Sequence, residues 1–220
     1  SDLSSGGQDA EGSAYSAGLV LAVDDSQVTL QMYQPADSTA EGTVADPADF
    51  AAEDYVLSDE VQELDIEDES VLHYLEAGQL ESAALADILP GSVLLVQTDE
   101  AGGTPGDVVV QDYDQAWQDG AAQVVSVSGA SLEVTWYQMD GASLTSYLDL
   151  DVSAYTPEET AETLAVGSDA VVYQEQDGLL TETDLSSLEA GDNLIISTSS
   201  TGDVVRIILC QNQEETVTAA

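Results

Sequence analysis

The sequence predicts an all-β protein built as two tandem small β-barrel repeats with short helical turns. Three observations predict it: a block that occurs twice, apolar runs of strand length, and turn residues about every 8–12 positions. Leu85–Thr98 (LADILPGSVLLVQT) recurs without a gap as Leu185–Thr198 (LSSLEAGDNLIIST), one hundred positions later. Leu85, Ile88, Gly91 and Leu94 match Leu185, Leu188, Gly191 and Leu194. The residues before each glycine are too few for an amphipathic helix and read as a single turn of 3₁₀ type whose aliphatics plug the core. Gly91 and Gly191 supply the positive φ that ends the turn and lets a strand begin. A glycine turn with no helix behind it offers no phosphate cradle, so the block reads as scaffold.

The duplication extends beyond this block. Val71–Leu80 aligns with Val171–Leu180 at the same offset, turning at Ala77-Gly78 and Asp177-Gly178. Val20–Gln34 aligns with Val124–Gln138 at an offset of 104, and Gly106–Val109 with Gly202–Val205 at an offset of 96. Offset changes between blocks fall in loops, where insertions cost little. The domain plan that results is a Ser/Gly/acidic tether at 1–16, a first repeat at 17–113, a linker at 114–121, a second repeat at 122–210 and a polar tail at 211–220.

Taken in order, the first repeat opens with a hairpin, 18–24 and 27–34, whose Val20, Ala22, Val28 and Leu30 share a face. An acidic loop, 35–54, follows, with Asp46 as N-cap of a turn opened by Pro47. Tyr55–Leu57 and Leu64–Ile66 are short strand candidates. The hairpin 70–83, the plug 85–91, strand 92–98, a Gly-rich turn at 102–106 and a closing strand 107–112 complete the unit. In the linker, Trp117 is the candidate for a wedge between the repeats. The second repeat has a hairpin at 122–138, a turn at Asp140-Gly141 and a strand from Ser143 to Asp151. Thr156-Pro157-Glu158-Glu159 reads as a capping box that opens a helix to about Leu164, ended by Gly167. Hairpin 169–183, plug 185–191 and strands 192–198 and 203–210 follow.

Charge excludes more than it assigns. The chain has 44 acidic residues, Arg206 as its one basic residue and no lysine, for a formal charge of −43. Neutralising phosphates requires Lys and Arg, so nucleic acid is excluded as a partner, and anionic lipid surfaces with it. A polyanion attracts divalent cations and basic proteins instead. No apolar run approaches the roughly 18 residues of a membrane span. A chain without lysine also gives trypsin-like proteases a single site, Arg206, inside a strand.

The candidate sites are few. Zinc and nucleophilic triads need more than one histidine and one cysteine, so His73 reads as a surface position and Cys210 as a small buried hydrophobe. Calcium is the one ion that composition favours, at Asp65, Glu67, Asp68 and Glu69 or at Asp112, Asp114 and Asp119. Neither cluster has the spacing of a Ca²⁺ loop, and charge runs are more often solvated surface. Tyr33 and Tyr137, beside Met32 and Trp136, are candidates for stacking on a glycan or for core packing. Arg206 is expected to pair with a neighbouring carboxylate.

The leading hairpin (Gly18-Leu19-Val20 with Val28-Thr29-Leu30), the Leu-x-x-Leu-x-x-Gly-Asp plug before Asn193–Ile196, and the Gly-Asp-Val-Val of 202–205 resemble exported bacterial repeat domains. Those domains are small barrels of unknown function, often found in lipoproteins and similar to the OB-like barrel. The resemblance implies export and a barrel, and hands over no catalytic residue. The tether fits the same expectation, since such segments separate a secreted or lipid-anchored domain from its anchor. The expected function is therefore non-enzymatic: an extracellular or cell-surface spacer or interaction module without a cofactor. Calcium or glycan binding is the alternative.

Overall fold

The computed structural model describes residues 14–37, 39–98, 105–111, 117–139, 144–148 and 150–210. The chain divides into two units, Ser1–Asp114 and Gln115–Ala220.

The first unit contains β1 (Tyr15–Asp24), β2 (Gln27–Pro35), β3 (Tyr55–Asp65), β4 (Leu72–Glu76), β5 (Gln79–Ser82), β6 (Val93–Thr98) and β7 (Pro105–Val110). They form one sheet in the order β3-β2-β1-β6-β7-β4-β5. Every pairing is antiparallel except β4 with β7. The second unit contains β8 (Trp117–Ser128), β9 (Ser131–Gln138), β10 (Thr156–Ala165), β11 (Val171–Gln176), β12 (Leu179–Glu182), β13 (Asn193–Ser199) and β14 (Val204–Leu209). Its order is β10-β9-β8-β13-β14-β11-β12, the same path strand for strand, with β11 and β14 as the parallel pair.

Neither sheet closes. β3 and β5 are the end strands of the first sheet, and β10 and β12 of the second. The closed barrels expected from the sequence are therefore replaced by two open mixed sheets. A two-residue period reveals that a strand has a buried face, but not whether the outermost strands meet.

Each sheet wraps one core. In the first, Val20, Val28, Leu30, Leu64, Leu72, Leu94, Val96 and Val108 are buried together with Ile88. In the second, Val124, Leu132, Val134, Leu164, Leu194, Ile196 and Ile207 are buried together with Leu188. The repeated plug is a 3₁₀ turn in both, Leu85–Asp87 and Leu185–Ser187. Ile88 and Leu188 are buried, while Leu85 and Leu185 pack half-buried on their respective cores. Gly91 and Gly191 both have φ of 96°, and each donates its N–H to the first strand of its unit, at the Val20 and Val124 carbonyls. The turn thus docks on the sheet through its backbone as well as its side chains.

Several local expectations change. Thr156–Ala165, read as a capped helix, is edge strand β10, with Ala161–Ala165 laddered onto Ser131–Thr135. Pro157 is tolerated because an edge strand needs no donor on its outer side, and the register shifts between Pro157 and Ala161. Cross-strand pairing overrides the local Thr-Pro-Glu-Glu signal. Tyr55–Leu57 and Leu64-Asp65 belong to one strand, β3, interrupted by a register shift opposite Gln31 and Tyr33, while Ile66 lies just past its end. The strand expected over 143–151 is reduced, among its described residues, to a single β-bridge at Ser146 followed by bends, leading to the 3₁₀ turn Val152–Ala154. Trp117–Ala121, assigned to the linker, are part of β8, and Tyr15 and Ser16, assigned to the tether, are part of β1. The offset of 96 also changes: Val108 faces Val96 as Ile207 faces Ile196, an offset of 99. The Asp46 cap is as expected, its Oδ1 accepting from the Ala48 N–H at 3.0 Å. Residues 1–13, the tail 211–220, most of the turn at 102–106, and Asp140-Gly141 lie outside the described residues.

Candidate functional site

Arg206 sits in a cluster of polar side chains with Tyr147, Asp119 and Ser197. Its place on β14, an interior strand paired with β13 and β11, points its side chain at β8 and the segment between β9 and β10. The guanidinium lies 5.4 Å from the ring centroids of both Trp117 and Tyr147, within cation–π distance of each. Its Nη2 donates to the Tyr147 hydroxyl at 2.9 Å, which in turn donates to Asp119 Oδ2 at 3.0 Å. Ser197, fully buried, donates to Asp119 Oδ1 at 2.5 Å. The expected carboxylate pairing is thus replaced: no described carboxylate forms a direct ion pair with Arg206, and the Tyr147 hydroxyl stands between it and Asp119. Arg206 Nε is buried without a hydrogen-bond partner.

Burial pushes the Asp119 carboxyl above the usual carboxylate range, against the pull of the Ser197 hydrogen bond and the Arg206 charge. Burial likewise raises the Tyr147 and Tyr173 phenols. Sequence reasoning grouped Asp119 with a calcium cluster and missed Tyr147 and Ser197. Tyr147 lies in the stretch read as a strand over 143–151, and nothing in its local sequence marks it as Arg206's partner.

The first unit places different chemistry at the same positions. Tyr15 is opposite Gln97 as Asp119 is opposite Ser197. Asp107 precedes Val108 as Arg206 precedes Ile207, and His73 and Tyr173 occupy matching places on β4 and β11. Tyr15, Asp107 and His73 thus stand where Asp119, Arg206 and Tyr173 stand in the second unit. His73 Nε2 is 3.5 Å from Asp107 Oδ1, so the histidine read as an ordinary surface position faces a carboxylate. The Tyr15 hydroxyl is raised by burial and by the Asp107 charge beside it.

Among the described residues, the first acidic cluster singled out for calcium does not assemble. Asp65 accepts from Ser26 Oγ at 2.8 Å, Asp68 caps Ser70 N at 3.0 Å, and Glu69 accepts from Leu85 N at 2.6 Å. Asp112 and Asp114 lie outside the described residues, and Asp119 is engaged as above. Among the described residues, no three His, Cys, Asp or Glu side chains converge on a metal-sized site.

The aromatic candidates are also engaged internally. Met32 is buried in the first core, and Tyr33 lies 5.7 Å from the buried Phe50 ring, which is 4.7 Å from Tyr55. Trp136 packs on the second core over Gly120, its Nε1 donating to Glu162 at 2.8 Å. Tyr137 donates to Asn193 Oδ1 at 2.7 Å. Cys210 is buried and free, and burial pushes its thiol up to about 12, far from a reactive thiolate. A cavity in the second unit opens between Gly129-Ala130, Val166–Val172 and Glu182–Leu185. Its lining has hydroxyls and carboxylates but no histidine, cysteine or cation.

No family model, curated protein or solved structure matches the chain.

Proposed function

We propose that this protein is a non-enzymatic, exported surface module whose two acidic β units act as a spacer or as a docking surface for basic partners. The observation that carries the proposal is where the acid sits. Outer strand β3 exposes Asp59, Glu60, Glu63 and Asp65, and outer strand β10 exposes Glu158, Glu159 and Glu162. Each is one of the two end strands of its sheet, where charge discourages edge-to-edge pairing and leaves a negative rim for cations or basic proteins. The resemblance to exported repeat domains supports the same reading, and the matching strand orders support descent of the two units from one duplicated module.

Biolayer interferometry of the full chain against hen lysozyme, used as a basic probe, tests the docking half. The expected result is binding at low salt that is lost by about 0.5 M NaCl, where the screening length is only a few ångströms. No binding at low salt would leave the spacer role alone. Saturable heat on calcium titration, or glycan-array binding lost in Trp136→Ala, would instead favour the ion or sugar alternative.

A further inference from the structure

We propose that the cavity of the second unit is a receptor for one basic side chain, a lysine or arginine presented by a partner protein. The inference rests on the docking reading above and gives it a defined place. The cavity measures about 500 Å³, a size usual for small-ligand sites, and lies where the β8–β9 turn, the β10–β11 connection and the end of β12 meet.

The first unit has the same frame and closes it. Ile66 N–H donates to the Ser26 carbonyl as Val166 N–H does to that of Ala130. Ala83 N–H donates to the Leu72 carbonyl as Thr183 N–H does to that of Val172. Within this matched frame Glu69 and Asp169 hold the same position. Glu69 reaches across to the plug turn, its Oε2 accepting from the Leu85 N–H at 2.6 Å. Asp169 is one methylene shorter, lies exposed, and forms no such bridge to the Leu185 N–H. Where the first unit ties its connection to the plug, the second leaves an opening.

The lining selects the occupant. Val172 is buried, and Val166 and Leu185 pack half-buried against the core, so the floor is aliphatic. Asp169, Glu182 and Asp184 line the same cavity and are exposed. A lysine or arginine lays its methylenes along apolar surface and keeps its charged head among carboxylates and water, which suits this floor and mouth. Carboxylates around a concave, low-dielectric floor also focus the negative field and concentrate cations at the opening. A bare divalent ion fits poorly, because among the described residues no three carboxylates converge on a metal-sized point. No aromatic ring lines the cavity for a sugar to stack on. The occupant has to come from another molecule, since Arg206, the chain's one Lys or Arg, is bound to Tyr147.

Titration of the isotope-labelled full chain with acetyl-Gly-Lys-Gly-amide in about 0.15 M NaCl, followed by NMR, tests the receptor. Saturable shifts confined to 129–130, 166–172 and 182–185 are expected. Two variants keep the net charge and should each weaken binding several-fold. Asp169→Glu restores the residue that closes the first unit. Gly167→Phe adds a ring at a lining position where a Cβ meets nothing within 4 Å. Shifts spread evenly over the acidic surface, or wild-type affinity in either variant, would overturn the receptor. Should Gly167→Phe prove unstable, Asp169→Glu decides alone. The lysozyme measurement separates the two readings: lysozyme binding without tripeptide binding removes the receptor and keeps the docking surface, while loss of both removes both.

Discussion

Arg206 shows how much one side chain can depend on neighbours that its own sequence context does not reveal. A lone arginine among so many acids suggests an exposed ion pair of small worth, about 1 kcal/mol or less. Its actual setting is beside two rings, with a hydrogen bond to a buried phenol. Removing it takes away one hydrogen bond to the Tyr147 hydroxyl and the cation beside two rings. Arg206→Met is therefore expected to cost about 1.5–3 kcal/mol by urea denaturation, the range for losing a hydrogen bond to a charged group. Cys210 and the glycine turns, by contrast, were legible from sequence. A single cysteine at the end of an apolar run has little to do but pack, and glycine before an aliphatic strand has one common use. Tyr147 was not legible, because its role depends on a partner 59 positions away.

Among the elements, the doubled plug was read correctly because both halves of its signal are local: aliphatics spaced by one turn, then a glycine. The hairpins were legible for the same reason. The turn at Ala77-Gly78 has Ala77 at φ 53°, a left-handed conformation that alanine adopts at a cost and asparagine adopts more readily. Ala77→Asn should stabilise the first unit by about 0.5–1 kcal/mol, the scale of such backbone effects, with a higher urea midpoint as the readout. Its counterpart Asp177, at φ 55°, already has a side chain suited to that region. β10 was misread as a helix because capping signals are also local, while its ladder to β9 joins residues from Thr156 with Gln138 to Ala165 with Ser131, far apart along the chain. The same reasoning explains why open sheets could not be told from closed barrels: closure depends on where the outermost strands lie, not on their alternation.

For the molecule as a whole, charge dominates the expected response to conditions. At pH 7 the formal charge of −43 repels itself over about 10 Å at 0.1 M salt. The thermal midpoint should rise with NaCl and more steeply with CaCl₂; a midpoint indifferent to both would remove charge repulsion from the account. The pH profile follows from opposed shifts. Asp37, Asp68 and Asp151 are held below the ordinary value of 3.8 by hydrogen bonds from Thr39, Ser70 and Ser153. Their contribution is present above that value and lost as pH falls through their folded pKa. Asp119 acts in the opposite sense, and general protonation relieves repulsion on the way to the pI of about 4.1. Calorimetry should therefore find a thermal midpoint that climbs from pH 7.5 to about pH 5 and falls below about pH 3.5. A steady fall from pH 7.5 downward would contradict that balance. The most direct measurement of the central claim, that two sheets of one design close around equivalent plugs, is the urea stability of Ile88→Ala beside Leu188→Ala. Each should cost its own unit about 2–5 kcal/mol, the range for truncating a buried aliphatic. A large loss for one and a negligible loss for the other would contradict it.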